Sequence, residues 1–150
     1  MELHIKQFEE LTVYELYEIL KLRSAVFVVE QKSRYLDTDD MDQDALHVFL
    51  TDGDEIVAYL RILSRDSGET GYVKIGRVIA KRRRTGLGTD IVLAGIRTAR
   101  QVYKPEKIKI AAQTYTKEFY ERLGFVKTPD DEYDIDGIPH INMVLDMQKS

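Results

Sequence analysis

The chain has 150 residues, and 22 Lys and Arg against 26 Asp and Glu give it a net charge of −4. That length suits one domain over residues 1–150, and 43% hydrophobic with 32% charged residues excludes disordered and fibrous classes. Zero cysteines exclude disulfides, thiolate metal sites and a cysteine nucleophile.

Residues 3–8 alternate imperfectly between apolar and polar side chains and predict a short strand. Thr12 and Glu15 stand at capping-box spacing. The apolar positions that follow (Leu16, Ile19, Leu20, Leu22, Val26) predict one helix over residues 12–29. Residues 33–44 are polar and acidic without periodicity, a loop of a length that is often functional. Two β-rich runs, 47–51 and 56–63, are joined by Asp52-Gly53-Asp54, a hairpin signal. A turn over 64–71 leads to a third run, 72–80. Then comes the basic Lys81-Arg82-Arg83-Arg84 and a helix carrying Val92, Ile96, Ala99 and Tyr103, which ends before Pro105. A strand is expected over 108–112, and a short helix over 117–123 closed by Gly124. Runs at 125–127 and 138–145 complete the β content on either side of an acidic loop, 129–137. The pattern is that of one α/β domain without repeat or linker.

The strand, basic turn, glycine pair and helix within residues 72–103 form the sharpest local feature. Glycines at a strand-to-helix turn let backbone N–H groups approach a ligand, and a helix N-terminus favours anions. With Arg83 and Arg84 this is a diphosphate site; otherwise it is a solvated basic turn whose glycines only permit tight geometry. A P-loop would need Gly-Lys-Ser/Thr, but Gly88 precedes Thr89-Asp90, and a dinucleotide fingerprint would need glycine where Ile91 stands.

Arg83-x-x-Gly86-x-Gly88 instead resembles the R/Q-x-x-G-x-G/A motif of the GNAT superfamily of N-acetyltransferases, which grips the pyrophosphate of acetyl-CoA. Phe119-Tyr120-Glu121-Arg122-Leu123-Gly124-Phe125, after the next strand, resembles that superfamily's F-Y-x-x-L-G-F helix end. Further stretches are similar to the ElaA-like branch. They are Leu22-Arg23 with Val26 to Gln31, Tyr35 with Asp37 and Asp39, Ile75-Gly76-Arg77-Val78, and Asp136-Gly137-Ile138-Pro139-His140-Ile141. The resemblance implies an α/β (α+β) fold with a mixed, mostly antiparallel sheet and helices on both faces. Two central strands, ending near Ala80 and Ala112, would splay to admit the pantetheine arm. It implies an acetyl-CoA-dependent N-acetyltransferase moving the acetyl group directly to a primary amine of a peptide, polyamine or small metabolite. Cofactor contacts would come from Val78, Ile79, Ala80, Arg83, Arg84, Thr85, Gly86, Leu87, Gly88, Thr89 and Phe119. Tyr120 would protonate the departing thiolate; otherwise it packs a core beside Phe119 and Leu123. The chain departs from the pattern in one respect. Only Lys81 and Arg82 separate Ala80 from Arg83 where about four residues are usual, so either the strand ends at Val78 or the turn is two residues short. A non-catalytic acyl-CoA-binding regulator and another acyl transfer on the same fold, such as acyl-homoserine lactone synthesis, are the alternatives.

An amine acceptor must lose a proton, since ordinary amines have pKa values near 10. The run 72–80 contains no carboxylate. Glu30, Asp39, His47 and His140, all in branch-like stretches, are the candidate base or acceptor-site residues, with relay through water equally open. Arg61 and Arg77 sit inside apolar runs and need partners, expected from the 33–44 loop. If Asp37, Asp39 and Asp40 instead line the acceptor entrance, they favour cationic substrates.

Asp40-x-Asp42-x-Asp44 fails as a calcium loop, with Ala45 at the glycine position and Thr51 at the bidentate glutamate position. His4, His47 and His140 give no zinc spacing, and no Gly-x-Ser-x-Gly elbow marks a serine hydrolase. No metal is expected. The acidic total, and a basic run without interleaved aromatics, argue against a nucleic-acid partner. No apolar run approaches the roughly 18 residues of a membrane helix, and the first residues are too polar for a signal peptide. The expected setting is therefore cytoplasmic, without a membrane partner, as monomer or homodimer.

Overall fold

The resemblance implies a mixed sheet with helices on both faces. The computed structural model, which describes residues 1–32, 36–64, 71–81 and 85–148, has that arrangement. Among the described residues eight strands form one sheet. β1 (Glu2–Gln7), β2 (Leu46–Asp52), β3 (Glu55–Leu63) and β4 (Tyr72–Ala80) pair antiparallel in chain order. Helix α2 (Leu87–Val102) then crosses over so that β5 (Lys107–Gln113) runs parallel to β4. β8 (Ile138–Asp146) pairs antiparallel with β5 and carries the short strands β6 (Val126–Lys127) and β7 (Tyr133–Ile135). Helices α1 (Val13–Arg23) and α3 (Lys117–Arg122) complete the fold. Among the described residues no helix is long and apolar enough to cross a membrane.

The two faces have separate cores. Ala58, Leu60 and Ile62 of β3 point towards α2, where they meet Ile91, Val92, Ala94 and Ala99. A Cβ built on Gly95 of α2 would lie 2.7 Å from Leu60 Cδ2, so this helix approaches the sheet closer than an alanine allows. The intervening β3 residue Tyr59 points the other way, packing with Phe49 of β2 and Ile19 of α1. Helices thus cover both faces, as expected.

Three segments differ from the sequence expectation. The capping box is present: Glu15 N–H donates to Thr12 Oγ1 at 3.0 Å, and Thr12 N–H donates to Glu15 Oε1 at 2.9 Å. The helix it opens changes character at Ser24 and continues as a π-helix, Ser24–Glu30. Val26, Val28 and Val29 are β-branched and crowd an ordinary α-turn, and the wider winding relieves them. The 33–44 loop contains a 3-10 turn, Asp42–Asp44. The acidic 129–137 segment is not only a loop, because β7 and β8 form a hairpin whose turn residues Asp136 and Gly137 have φ of 51° and 79°. Most of the expected 64–71 turn lies outside the described residues.

Candidate active site

The sheet is interrupted at its centre. β4 and β5 pair only from Tyr72–Lys107 to Ile75–Ile110, while β5 stays paired to β8 as far as Gln113–His140. On its other side β4 shifts register against β3, with Tyr59 opposite Ile79 but Arg61 opposite Gly76. Two β4 residues, Arg77 and Val78, therefore face Leu60 in a bulge, with Arg77 at φ 53°. The bulge turns the rest of β4 away from β5. A cleft of about 490 Å³ occupies the gap, with Gly76, Arg77 and Val78 on one wall and Ala111, Ala112 and Gln113 on the other. The expected splay of these two strands is observed.

Charged side chains support one wall. Arg23 donates from Nε to Asp37 Oδ2 at 2.8 Å and from Nη1 to Asp42 Oδ1 at 2.6 Å. Arg61 donates from Nη1 to Asp39 Oδ1 and to Asp42 Oδ1, each at 2.9 Å, and from Nη2 to Asp39 Oδ2. Arg77 donates from Nε to Asp37 Oδ1 at 2.8 Å, and the Asp37 carbonyl accepts from both Arg23 and Arg77. Arg23 is 0% and Arg61 3% exposed. Burial alone would raise the Asp39 and Asp42 carboxyls. Arg61 beside Asp39, and Arg23 with Arg61 beside Asp42, outweigh it and hold both below the usual carboxylate range. Arg61 and Arg77 thus find their partners in the acidic loop.

The network reassigns two base candidates. Asp39 lies in the cleft wall, but its guanidinium partner keeps it ionised and weakly basic. His47 is fully buried: Nε2 donates to the Asp42 carbonyl at 2.9 Å and Nδ1 accepts from Tyr59 Oη at 2.7 Å. Burial lowers its pKa and keeps it neutral, with no atom to present to an acceptor. Glu30 is exposed at the end of the π-helix and forms no part of the cleft wall. His140 does line the cleft. Its Nδ1 donates to the Ile138 carbonyl at 2.7 Å, which leaves the lone pair on Nε2, and its ring stacks on Tyr133.

Tyr120 of α3 also lines the cleft, with its ring edge-on to Phe119 at 4.9 Å and to Phe125 at 5.7 Å. Burial, with a smaller contribution from Tyr115, pushes its phenol pKa up, so the proton is retained through the neutral range. Beyond the cleft, β4 runs through Ala80 and Lys81 N–H donates to the Val57 carbonyl at 2.8 Å. The strand therefore does not end at Val78, and the connection to α2 is the short one. Gly86 caps α2 at φ 83°, and the N–H groups of Leu87, Gly88 and Thr89 have no acceptor within the helix. A Cβ on Gly88 would lie 3.5 Å from Phe119 Cζ and 3.9 Å from Ala80 Cβ, so these three residues meet at the helix start. The Leu87 side chain is buried in the core, leaving only its backbone for a ligand. Arg83, Arg84 and Tyr35 lie outside the described residues.

Several wall residues carried no sequence expectation: Met41, Gln113, Tyr115 and Ile135. An arginine in the apolar stripe of α1, Arg23, was a readable sign of a buried charged partner. Among the described residues no cluster of His, Cys, Asp and Glu could hold a metal ion.

The sequence matches the acetyltransferase (GNAT) domain family over residues 11–147. It is 37% identical to protein ElaA of Escherichia coli, covering 92% of each chain. It is 36% identical to a UPF0039 protein of Schizosaccharomyces pombe over 98% of each. The crystal structure of Escherichia coli ElaA superposes with a TM-score of 0.89 at 35% identity, covering 97% of this chain and 99% of that one. An acyl-CoA N-acyltransferase from Pseudomonas aeruginosa gives 0.88 at 35% identity with the same coverage.

Replacing Asp37 with Ala leaves two guanidiniums facing one another without their shared carboxylate. Urea unfolding should show a loss of about 3–5 kcal/mol, whereas Asp40→Asn, at an exposed left-handed position that Asn tolerates, should stay within about 0.5 kcal/mol. Because the Asp39 and Asp42 carboxyls titrate lower in the folded chain than the unfolded value of about 3.9, their stabilisation is complete above that pH and is lost as pH falls below it. Unfolding midpoints should therefore fall between about pH 4 and pH 2, less steeply in Asp39→Asn than in the parent.

Proposed function

The chain belongs to the GNAT acetyltransferase family and is an acyltransferase, and from that premise we propose that it moves an acetyl group from acetyl-CoA directly to a primary amine. The observation that carries this reading is the gap between β4 and β5, with a glycine-opened helix start at one end and Tyr120 in its wall. The N–H groups of Gly86 to Thr89 suit a pyrophosphate, and the positive φ of Gly86 turns the chain to present them. The pantetheine arm then lies along Val78, Ile79 and Ala80, pairing with strand groups that β5 no longer satisfies.

The acceptor nitrogen attacks the thioester carbonyl carbon. The developing oxyanion is met by a backbone N–H at the Arg77–Val78 bulge. The carbon–sulfur bond breaks, the sulfur takes the proton of the Tyr120 hydroxyl, and the amine proton passes to Nε2 of His140, directly or through water. His140 is favoured over the other bases because it lines the cleft with an Nε2 that no described residue engages. Burial holds the Tyr120 phenol protonated through the neutral range, so the proton is in place when the thiolate forms.

Valine at position 86 would have to adopt a φ of 83°, a strain of order 1–3 kcal/mol. Calorimetry should show Gly86→Val binding coenzyme A at least about tenfold more weakly; unchanged affinity in the folded variant removes this turn from the site. Tyr120→Phe keeps the ring packing, so stability should change by about 1 kcal/mol or less and acetyl-CoA affinity by no more than a few-fold. Turnover should drop by roughly 10²–10⁴ and recover with an acyl donor whose thiol has a low pKa. Loss of stability and cofactor binding together would make Tyr120 a packing residue instead.

A further inference from the structure

We propose that the acceptor is an amine carried on an apolar body, and that polycations are poor acceptors; this rests on the acetyl-transfer reading above and names the substrate class of the same site. The first observation is charge cancellation. Among the described residues, the cleft wall holds Asp37, Asp39 and Asp136 against Arg61, Lys74 and Arg77, three of each sign. Asp37 and Asp39, which the sequence offers as attractors for cations, have their carboxylate oxygens bonded to Arg23, Arg61 and Arg77. A polyamine or aminoglycoside needs several carboxylates free to turn towards it, and this wall directs those two inwards.

The second observation is the rim. Val28, Leu36, Met41, Tyr115 and Ile135 come from four separate segments, all line this cleft, and all remain between 36% and 81% exposed. Scattered exposed hydrophobics are ordinary, but a ring of them around one concave opening marks a surface that a ligand covers. Phe27, Leu63 and Ile138 continue the apolar lining. Gly86 and Gly88 do not line this cleft, so its apolar opening is left for the acceptor. Such a site takes an aliphatic or aromatic amine, or a peptide amino terminus with an apolar first residue.

The test is calorimetric titration of the chain loaded with coenzyme A, at low ionic strength, where attraction for cations would be greatest. The probes are hexylamine, 2-phenylethylamine and spermidine. The two apolar amines should bind at least tenfold more tightly than spermidine. Leu36→Asp and Tyr115→Asp alter side chains that are 81% and 78% exposed and so should leave the fold intact. Each should weaken hexylamine and strengthen spermidine, narrowing the ratio by tenfold or more. Tighter binding of spermidine to the parent, an unchanged ratio in both variants, or no binding of either apolar amine each overturns the proposal. Free thiol released from acetyl-CoA is followed separately: apolar amines that bind without releasing thiol refute the acetyl-transfer reading and leave the recognition standing. Thiol release that favours spermidine does the reverse.

Discussion

Beneath the cleft, α1, the 36–44 loop, β3 and β4 are joined through Arg23, Arg61 and Arg77 and the carboxylates of Asp37, Asp39 and Asp42. Buried ion pairs are a weak source of net stability, because desolvation opposes the Coulombic gain. Their effect here is geometric. Arg77 adopts a left-handed φ within a strand, which costs an L-residue about 1–2 kcal/mol, and its guanidinium is held by both the side chain and the carbonyl of Asp37. Because Asp37 is gripped equally by Arg23, the bulge is tied to a helix on the far side of the loop. The opening between β4 and β5 is therefore a fixed feature of the fold, built before any ligand arrives.

That rigidity divides the cleft into two chemistries. At the α2 end the groups on offer are backbone N–H donors and a helix terminus, with glycines leaving the backbone open. At the bulge, the groups proposed to react are a buried phenol and an imidazole whose Nδ1 proton is fixed by a carbonyl. Further out, the ion pairs close on themselves and the surface becomes apolar.

Much of the frame was legible in local patterns. The span of β4, the Thr12–Glu15 cap and the hairpin at Gly53 each follow from residues within a few positions of one another. What escaped reading depends on distance. The 33–44 loop is expected to partner Arg61 and Arg77 and does, but Arg23, 14 positions before Asp37, enters the same network only through tertiary packing. His47 has a useful side chain, but only the packed structure shows both nitrogens engaged. β7 lies in the segment expected as an acidic loop, where Tyr133 to Ile138 alternates and carries an Asp136-Gly137 turn signal beside the acidic run 130–132.

The same distinction bears on what family membership can transmit. The strand gap and the helix start are made largely of main chain, and two solved relatives 35% identical superpose on the whole chain with TM-scores of 0.88 and 0.89. The wall proposed for the acceptor is made of side chains from a π-helix, a loop, a turn and a hairpin, none of which carries the glycine motif. One substitution at Leu36 or Tyr115 alters the rim without touching the cradle, whereas one at Arg77 or Asp37 moves the bulge itself. On the proposed reading, acceptor choice can therefore diverge among chains that share this fold through side chains of the rim, while donor binding rests on main chain.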